Sequence, residues 1–191
     1  VVLPEVCVTL GMSNGIEVAE PVPGPTTNAM AEKAKKHGIY IICPLFQIKP
    51  DDTVYNFSII IGKNGEIVGE YHKNHPTIGE VESGVKPGDE TPAFELSFGK
   101  VGMCICFDLN FRDVVEGLVR NGAEIILFSS MYEGGRQLQT WALDFSVYIV
   151  SAHSGGYSTF VDVTGEIINR SDPGYDQIVT EEVNLDRKIL H

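Results

Sequence analysis

Short apolar runs of strand length recur along this chain, separated by glycine-rich and charged segments. The run over residues 101–107 is too short for a helix and is followed by Asp108, so it predicts a buried strand with Cys106 at its carboxyl end. We expect a helix to begin at Asp108. Backbone N–H groups at such a strand-to-helix turn favour a thiolate over a thiol, which makes Cys106 a candidate nucleophile. A second apolar run, over residues 124–128, repeats this pattern and ends in a loop of small residues.

The remaining apolar segments alternate between strand and helix spacing. Asn64-Gly65 separates two of them and predicts a hairpin, because Asn-Gly supplies the positive φ angles of a tight turn. Helical spacing predicts a helix over residues 28–37, which we expect Thr26 or Thr27 to cap. Strands that alternate with helices early and form hairpins late predict a mixed α/β fold. The other predicted elements are a helix over 137–145 and strands over 39–46, 55–61, 67–71, 147–152, 158–163, 166–169 and 178–183.

The first residues also have the pattern of a buried strand. Val1-Val2-Leu3-Pro4-Glu5 is an apolar run that ends in a carboxylate, with no residue before it to form a cap or a hairpin. We therefore expect that a preceding strand and helix are missing. A length of 191 residues with 43% apolar content suits one compact domain. The sequence thus predicts a single, N-terminally incomplete domain over residues 1–191.

Charge and cysteine usage narrow the classes of partner. The net charge of −12 speaks against nucleic acid or an anionic membrane as a partner. No apolar run approaches the ~20 residues that span a bilayer, and no basic and apolar leader marks the chain for export, so we expect a cytoplasmic protein. The four cysteines all lie in apolar runs, which predicts reduced thiols rather than disulfides: Cys7, Cys43, Cys104 and Cys106.

Three ionisable residues at predicted strand ends match the needs of acyl transfer. Such a site needs a nucleophile, a base and a positive charge or N–H donors where the oxyanion develops. Cys106, Glu5 and Lys73 supply these parts, although each residue type at a strand end is more often structural or solvated. His153 is an alternative base for a Cys–His pair. A structural, hydrogen-bonded histidine is the favoured interpretation, because Glu5 and Lys73 already fill the catalytic roles.

A zinc site is a further alternative. Cys104-x-Cys106, together with His72 and His75, contains ligand types that zinc prefers. We expect Cys104 to be plain core and to face away from Cys106, so that the two thiols do not share one ion. The sequence therefore predicts neither a metal nor a cofactor.

Three ordered motifs resemble those of the nitrilase superfamily of carbon-nitrogen hydrolases. Leu3-Pro4-Glu5 is similar to that family's glutamate motif, and Tyr71-His72-Lys73-Asn74-His75 is similar to its lysine motif. The segment from Val101 to Asp108 is similar to its nucleophile motif. The resemblance implies a four-layer α-β-β-α sandwich of the nitrilase type, here without its first strand and helix. It also implies pairing into a homodimer or a higher homo-oligomer.

The resemblance further implies roles for individual residues. Glu5 is expected to be the general base, and Cys106 is expected to form a thioester. Lys73 and the backbone N–H of Phe107 are expected to hold the oxyanion. An auxiliary glutamate that fixes the lysine is expected at Glu82, with Glu80 as the second choice. Substrate contacts are expected from two residues of the loop after the second apolar run, Met131 and Tyr132.

Two segments depart from the family pattern. Phe111-Arg112-Asp113 stands where the family usually has Phe-Pro-Glu, and the segment from Leu143 to Val147 stands where it tends to have Arg-Ala-x-Glu-Asn. The expected function is hydrolysis of a small linear amide or N-carbamoyl compound, with release of ammonia or amine. The alternatives are nitrile hydrolysis by the same triad and a non-catalytic family member that acts as a binding or assembly module.

Overall fold

A computed structural model describes residues 1–12 and 15–187. Nine strands and four α-helices form within these residues, and two 3₁₀ turns cover Gly15–Val18 and Cys106–Asn110. The helices are α1 (Pro25–His37), α2 (Ile78–Glu82), α3 (Arg112–Arg120) and α4 (Arg136–Phe145). The strands are β1 (Ile41–Ile48), β2 (Val54–Ile61), β3 (Ile67–His72), β4 (Ala93–Leu96), β5 (Gly99–Ile105), β6 (Ile125–Ser130), β7 (Tyr148–His153), β8 (Thr159–Val161) and β9 (Ile167–Arg170).

The strands form two sheets. β1, β2 and β3 make an antiparallel three-stranded sheet, while β4 to β9 make a six-stranded sheet in chain order. Within the larger sheet β5, β6 and β7 are parallel, and the flanking pairs are antiparallel. Because parallel strands end on the same edge of a sheet, the segments that follow β5, β6 and β7 lie side by side. This edge carries most of the candidate site.

The two faces of the three-stranded sheet pack into different apolar clusters, because successive side chains along each strand point to opposite faces. Cys43 and Phe57 face a cluster that includes Ala34 of α1, whereas Ile42 and Ile60 belong to a cluster shared with the six-stranded sheet, α3 and α4. This period of two follows from the geometry of strands with both faces buried. The predicted mixed α/β fold, with helices flanking the sheets, is confirmed.

Two strand predictions at the chain ends differ from the structure. The expected first strand is reduced to a single bridge between Val2 and Ile42, and a turn begins at Glu5. Residues 178–183 form neither strand nor helix. Ile178 is 87% exposed, and only Val183 at the end of this run packs against the core, so the run joins neither sheet.

The predicted starts of two helices, α1 and α3, also differ from the structure. Gly24 rather than Thr26 or Thr27 is the N-cap of α1, and the Thr27 hydroxyl accepts a hydrogen bond from the Gly24 N–H at 2.7 Å. The helix expected at Asp108 begins only at Arg112, after the 3₁₀ turn. Among the residues that the structure describes, no helix is both long and apolar enough to cross a lipid bilayer.

Candidate active site

The turn after β5 holds Cys106 in an unusual backbone conformation. Its φ angle is +44°, in the left-handed region that residues other than glycine rarely adopt. Such strain persists only where the surrounding contacts enforce it, and it is common at functional sites. Cys106 is half-buried at the edge where the parallel strands end. The sequence therefore positions this sulfur at the loop edge of the six-stranded sheet.

Asp108 enforces the Cys106 turn. Its Oδ2 accepts hydrogen bonds from the Tyr71 hydroxyl at 2.8 Å and from the Ile105 N–H at 3.1 Å. Its Oδ1 accepts from the His75 N–H at 2.8 Å. The carboxyl is fully buried, so burial raises its pKa to about 6 although these donors act to lower it. Asp108 thus ties the Cys106 turn to the strand that carries the lysine motif.

This raised pKa predicts how stability depends on pH. The folded chain binds the Asp108 proton more tightly than the unfolded chain, whose pKa lies near 3.8. The contribution of this carboxyl to the free energy of unfolding should therefore fall, by about 3 kcal/mol, as pH rises between these two values. Urea unfolding across this range should show that slope in the wild type and lose it in Asp108→Asn. Parallel pH curves for the two proteins would contradict the prediction.

Hydroxyl groups from the six-stranded sheet position the Glu5 segment. The Ser129 Oγ donates to the Leu3 carbonyl at 2.7 Å, and the Ser154 Oγ donates to the Glu5 carbonyl at 2.5 Å. Ser129 belongs to β6 and Ser154 directly follows β7. These two bonds hold the backbone around Glu5 over the edge at which Cys106 lies.

Lys73 and Asn56 join two carboxylates inside the protein. The Lys73 Nζ lies 3.1 Å from the Glu5 Oε1 and 2.9 Å from the Glu80 Oε2. The Asn56 Nδ2 donates to the Glu5 Oε1 at 2.9 Å and to the Glu80 Oε1 at 2.6 Å. Glu5 and Lys73 are 5% and 1% exposed, so these contacts form in a dry environment that strengthens them. Both bridging groups fix the two carboxylates relative to each other.

The opposite charges of Lys73 and Glu80 set the protonation states of both side chains. Burial opposes the charge of Lys73, but the charges of Glu5 and Glu80 outweigh burial and raise its pKa. Burial also opposes the charge of Glu80, and Lys73 together with the hydrogen bond from Asn56 outweighs it and lowers the pKa of Glu80. The lysine is therefore held as an ammonium and Glu80 as a carboxylate.

The contact expected for Glu82 is made by Glu80. Glu80 lies in a capping box of α2, in which its Oε2 accepts from the Thr77 N–H at 2.6 Å and its own N–H donates to the Thr77 Oγ. Glu82 is exposed. Residues two apart on a helix point in different directions, so only one of them reaches Lys73. The Thr77-x-x-Glu80 spacing is the sequence signal that favours Glu80.

This difference predicts unequal effects of two matched variants. Glu80→Gln should lower kcat/KM by about ten- to a hundredfold, because Lys73 loses the carboxylate that orients its ammonium. Glu82→Gln, the same change on the exposed side of α2, should leave kcat/KM within about twofold of the wild type. Steady-state kinetics on one amide would compare them, and equal losses in the two variants would contradict the assignment.

The protonation state of the Cys106 thiol differs from the thiolate that the sequence predicts. Burial is the largest influence, and together with the Glu5 carboxylate it raises the pKa of Cys106 to about 11. Lys73 and a hydrogen bond from the Met131 N–H lower it without reversing that rise. The turn alone does not produce a stable thiolate, which contradicts the prediction. The geometry supplies an un-ionised thiol with a carboxylate beside it that can take its proton.

Cys104 is the other cysteine of the nucleophile segment. Burial is the main cause that raises the pKa of its thiol, and Asp108 and Cys106 add to that rise. Cys104 is fully buried in the apolar cluster shared by the two sheets, which agrees with its expected place in the core. Within residues 1–12 and 15–187, no three His, Cys, Asp or Glu side chains are grouped as metal ligands.

The two expected substrate contacts, Met131 and Tyr132, lie in the loop that follows β6. Tyr132 is half-buried, and burial together with Cys104 and Cys106 raises its pKa. Its hydroxyl donates to the Gln137 Oε1 at 3.2 Å. Met131 exposes its side chain, and its backbone acts to lower the pKa of Cys106. The Phe107 ring is partly exposed beside Phe111.

The two segments that depart from the family pattern meet on the surface. Arg112 lies 3.5 Å from the Asp144 carboxylate, and its guanidinium lies over the Phe145 ring at 4.7 Å. The Asp113 carboxylate lies 3.0 Å from the His75 Nε2. The sequence did not indicate a role in the site for two buried residues that hold it together, Asn56 and Asp108.

A family model now decides the identity of the chain. The model described as carbon-nitrogen hydrolase matches residues 1–188. The chain belongs to the carbon-nitrogen hydrolase family. The predicted resemblance to the nitrilase superfamily is thereby confirmed.

Individual relatives of this carbon-nitrogen hydrolase are moderately distant. The chain is 24% identical over 195 residues to the omega-amidase NIT2 of Xenopus tropicalis, covering 89% of this chain and 70% of that protein. It is 36% identical over 134 residues to a beta-ureidopropionase of Arabidopsis thaliana, covering 67% of this chain and 33% of the relative. Nit3 of Saccharomyces cerevisiae, described as a member of branch 10 of the nitrilase superfamily, shares the fold with a TM-score of 0.81 and 22% identity, over 92% of this chain and 73% of Nit3.

Proposed function

We propose that this chain hydrolyses a small linear amide or N-carbamoyl compound through a thioester on Cys106. Family membership and relatives named as an omega-amidase and a beta-ureidopropionase support hydrolysis of carbon–nitrogen bonds. The observation that carries the mechanism is the buried Lys73 ammonium, 3.1 Å from the Glu5 carboxylate, with both groups acting electrostatically on the Cys106 thiol. This set contains the nucleophile, base and cation of an acyl-transfer site.

In the proposed acylation step, the Glu5 carboxylate takes the thiol proton as the Cys106 sulfur attacks the substrate carbonyl carbon. The carbonyl π electrons move to oxygen, and the oxyanion is stabilised by the Lys73 ammonium and the Phe107 N–H. The tetrahedral intermediate then collapses, the C–N bond breaks, and Glu5 returns its proton to the leaving nitrogen. Ammonia or an amine leaves, and a thioester remains.

Deacylation uses the same groups. Glu5 takes a proton from water, and the resulting hydroxide equivalent attacks the thioester carbon. The second oxyanion is stabilised at the same position, the C–S bond breaks, and the Cys106 sulfur regains the proton from Glu5. The products are a carboxylic acid, or a carbamic acid when an N-carbamoyl group is attacked, and the restored thiol.

A matched substrate series tests the reaction class. An amide, an N-carbamoyl compound and a nitrile that share one aliphatic group are incubated with the protein, and released ammonia is measured. We expect amide or N-carbamoyl turnover to exceed nitrile turnover by at least about tenfold. Faster nitrile turnover would overturn the proposed substrate class. No turnover of any compound would favour a non-catalytic binding or assembly role.

A further inference from the structure

Asn56 contacts every charged residue of the buried network through one backbone bond and two side-chain bonds. It belongs to β2 and is 3% exposed. Its C=O accepts a hydrogen bond from the Lys73 N–H at 2.9 Å, one residue beyond the end of β3. The pairing of β2 with β3 therefore sets the backbone positions of Asn56 and Lys73 relative to each other.

The Asn56 side chain completes a closed ring of hydrogen bonds. Its Nδ2 lies 2.9 Å from the Glu5 Oε1 and 2.6 Å from the Glu80 Oε1. The Lys73 Nζ lies 3.1 Å from each of the same two oxygens. Two nitrogen donors and two oxygen acceptors therefore alternate around the ring. An amide nitrogen carries two hydrogens, so the ring uses the full donor capacity of Asn56.

The ring treats the two oxygens of Glu5 differently. Oε1 accepts from both Asn56 and Lys73, whereas Oε2 is buried and accepts from neither. Hydrogen bonds to a carboxylate oxygen favour its charged form, so a proton is bound more readily by Oε2 than by Oε1. Asn56 is the neutral donor of the ring, and it fixes the carboxylate without bringing a second positive charge to the base.

We infer that Asn56 is a positioning residue, which holds the Glu5 carboxylate by Oε1 and leaves Oε2 to exchange protons with Cys106 and with water. The inference rests on the proposed function for its relevance to catalysis. It assigns the anchoring and the proton transfer to different oxygens of one carboxylate. Asn56 acts through Glu5 and not on the substrate.

A double-mutant cycle separates this role from a general structural one. Asn56→Leu removes both side-chain donations at similar volume, and Glu5→Gln removes the charge through which Asn56 acts. The two substitutions should therefore not be additive. Ser58→Ala is the matched control, because Ser58 lies two residues further along β2, is 1% exposed, and its Oγ makes no hydrogen bond to any residue that the structure describes.

The first measurement is the rate of Cys106 alkylation by iodoacetamide at a fixed pH below the pKa of the thiol, followed by mass spectrometry of the cysteine-containing peptides. The Glu5 charge raises the pKa of Cys106, and a carboxylate without its anchor should act less strongly on the thiol. Asn56→Leu should speed alkylation by about three- to tenfold in the wild-type background and by less than about twofold in the Glu5→Gln background. Ser58→Ala should stay within about twofold of the wild type.

Cys43 reports on folding within the same experiment. It is fully buried, so its peptide should stay unlabelled in every variant. If Asn56→Leu exposes Cys43 to the reagent, Asn56→Ser takes its place in the cycle, since the smaller polar side chain cannot bridge both carboxylates. Equal acceleration with and without Glu5→Gln, or no acceleration in both Asn56→Leu and Asn56→Ser, would overturn the inference.

The second measurement is steady-state hydrolysis of one amide. Asn56→Leu should lower kcat by about ten- to a hundredfold and leave KM within about threefold, because it displaces the base and not the substrate. A rise in KM at unchanged kcat would contradict this role. Alkylation requires no turnover, so an additive cycle would remove the role of Asn56 and leave the proposed hydrolysis standing. Absence of hydrolysis by the wild type would overturn the proposed function, and the alkylation cycle would still decide whether Asn56 acts through Glu5.

Discussion

Cys106→Ala is expected to lower amide hydrolysis by at least about ten-thousandfold. The variant lacks the sulfur that forms the thioester, and the remaining charges cannot replace a covalent nucleophile. The fold should persist, because Asp108 still binds Tyr71, His75 and the Ile105 N–H across the turn. Ammonia release from the best amide, with circular dichroism as a check on folding, measures the effect.

The matched control for this variant is Cys43→Ala. Cys43 is fully buried in the cluster beneath α1, on the face of the three-stranded sheet that lies away from the six-stranded sheet. Its replacement should lower the free energy of unfolding by about 1 kcal/mol through lost packing and leave kcat within about threefold. Similar losses of activity in the two variants would mean that Cys106 is not the nucleophile.

Glu5→Gln should change hydrolysis and thiol reactivity in opposite directions. Loss of the general base should lower kcat by about 10²- to 10⁴-fold. The Glu5 charge and its hydrogen bond raise the pKa of Cys106, so their removal should lower that pKa and speed alkylation by iodoacetamide. The amide oxygen can still accept from Asn56 and Lys73, which preserves the local structure.

Glu95→Gln provides the control for this pair of measurements. Glu95 is exposed on β4, and its substitution should alter neither rate by more than about twofold. Slower alkylation of Cys106 in Glu5→Gln would contradict the electrostatic account of the site. Unchanged hydrolysis in Glu5→Gln would contradict the assignment of Glu5 as the base.

Periodicity and turn chemistry were sufficient to predict most of the fold. The Asn64-Gly65 hairpin is confirmed as β2 and β3, and the run before Cys106 is confirmed as a strand that ends at the edge shared with β6 and β7. These predictions depend on local spacing and on strands with buried faces, both of which are visible in a sequence. The strand predicted over residues 178–183 does not form. Local spacing could not reveal this, because an apolar run pairs only if a partner strand from elsewhere in the chain is available.

The ordered motifs indicated Glu5, Lys73 and Cys106. The structure places the Lys73 Nζ 3.1 Å from the Glu5 Oε1, and both groups influence the pKa of Cys106. The choice between Glu80 and Glu82 depended on a helix of five residues whose direction the motif alone does not set. The protonation of Cys106 depended on burial and on the Glu5 charge, which are tertiary properties. Homo-oligomer formation and a cytoplasmic location stay predictions.

The central claim is that Glu5, Lys73 and Cys106 meet in one site to form and cleave a thioester. Its most direct test is mass spectrometry of the wild-type protein quenched in acid during turnover of a slowly deacylated amide. The account predicts an added acyl mass on the peptide that contains Cys106 and no such adduct in Cys106→Ala. An acyl group on another residue, or full hydrolysis by Cys106→Ala, would contradict it.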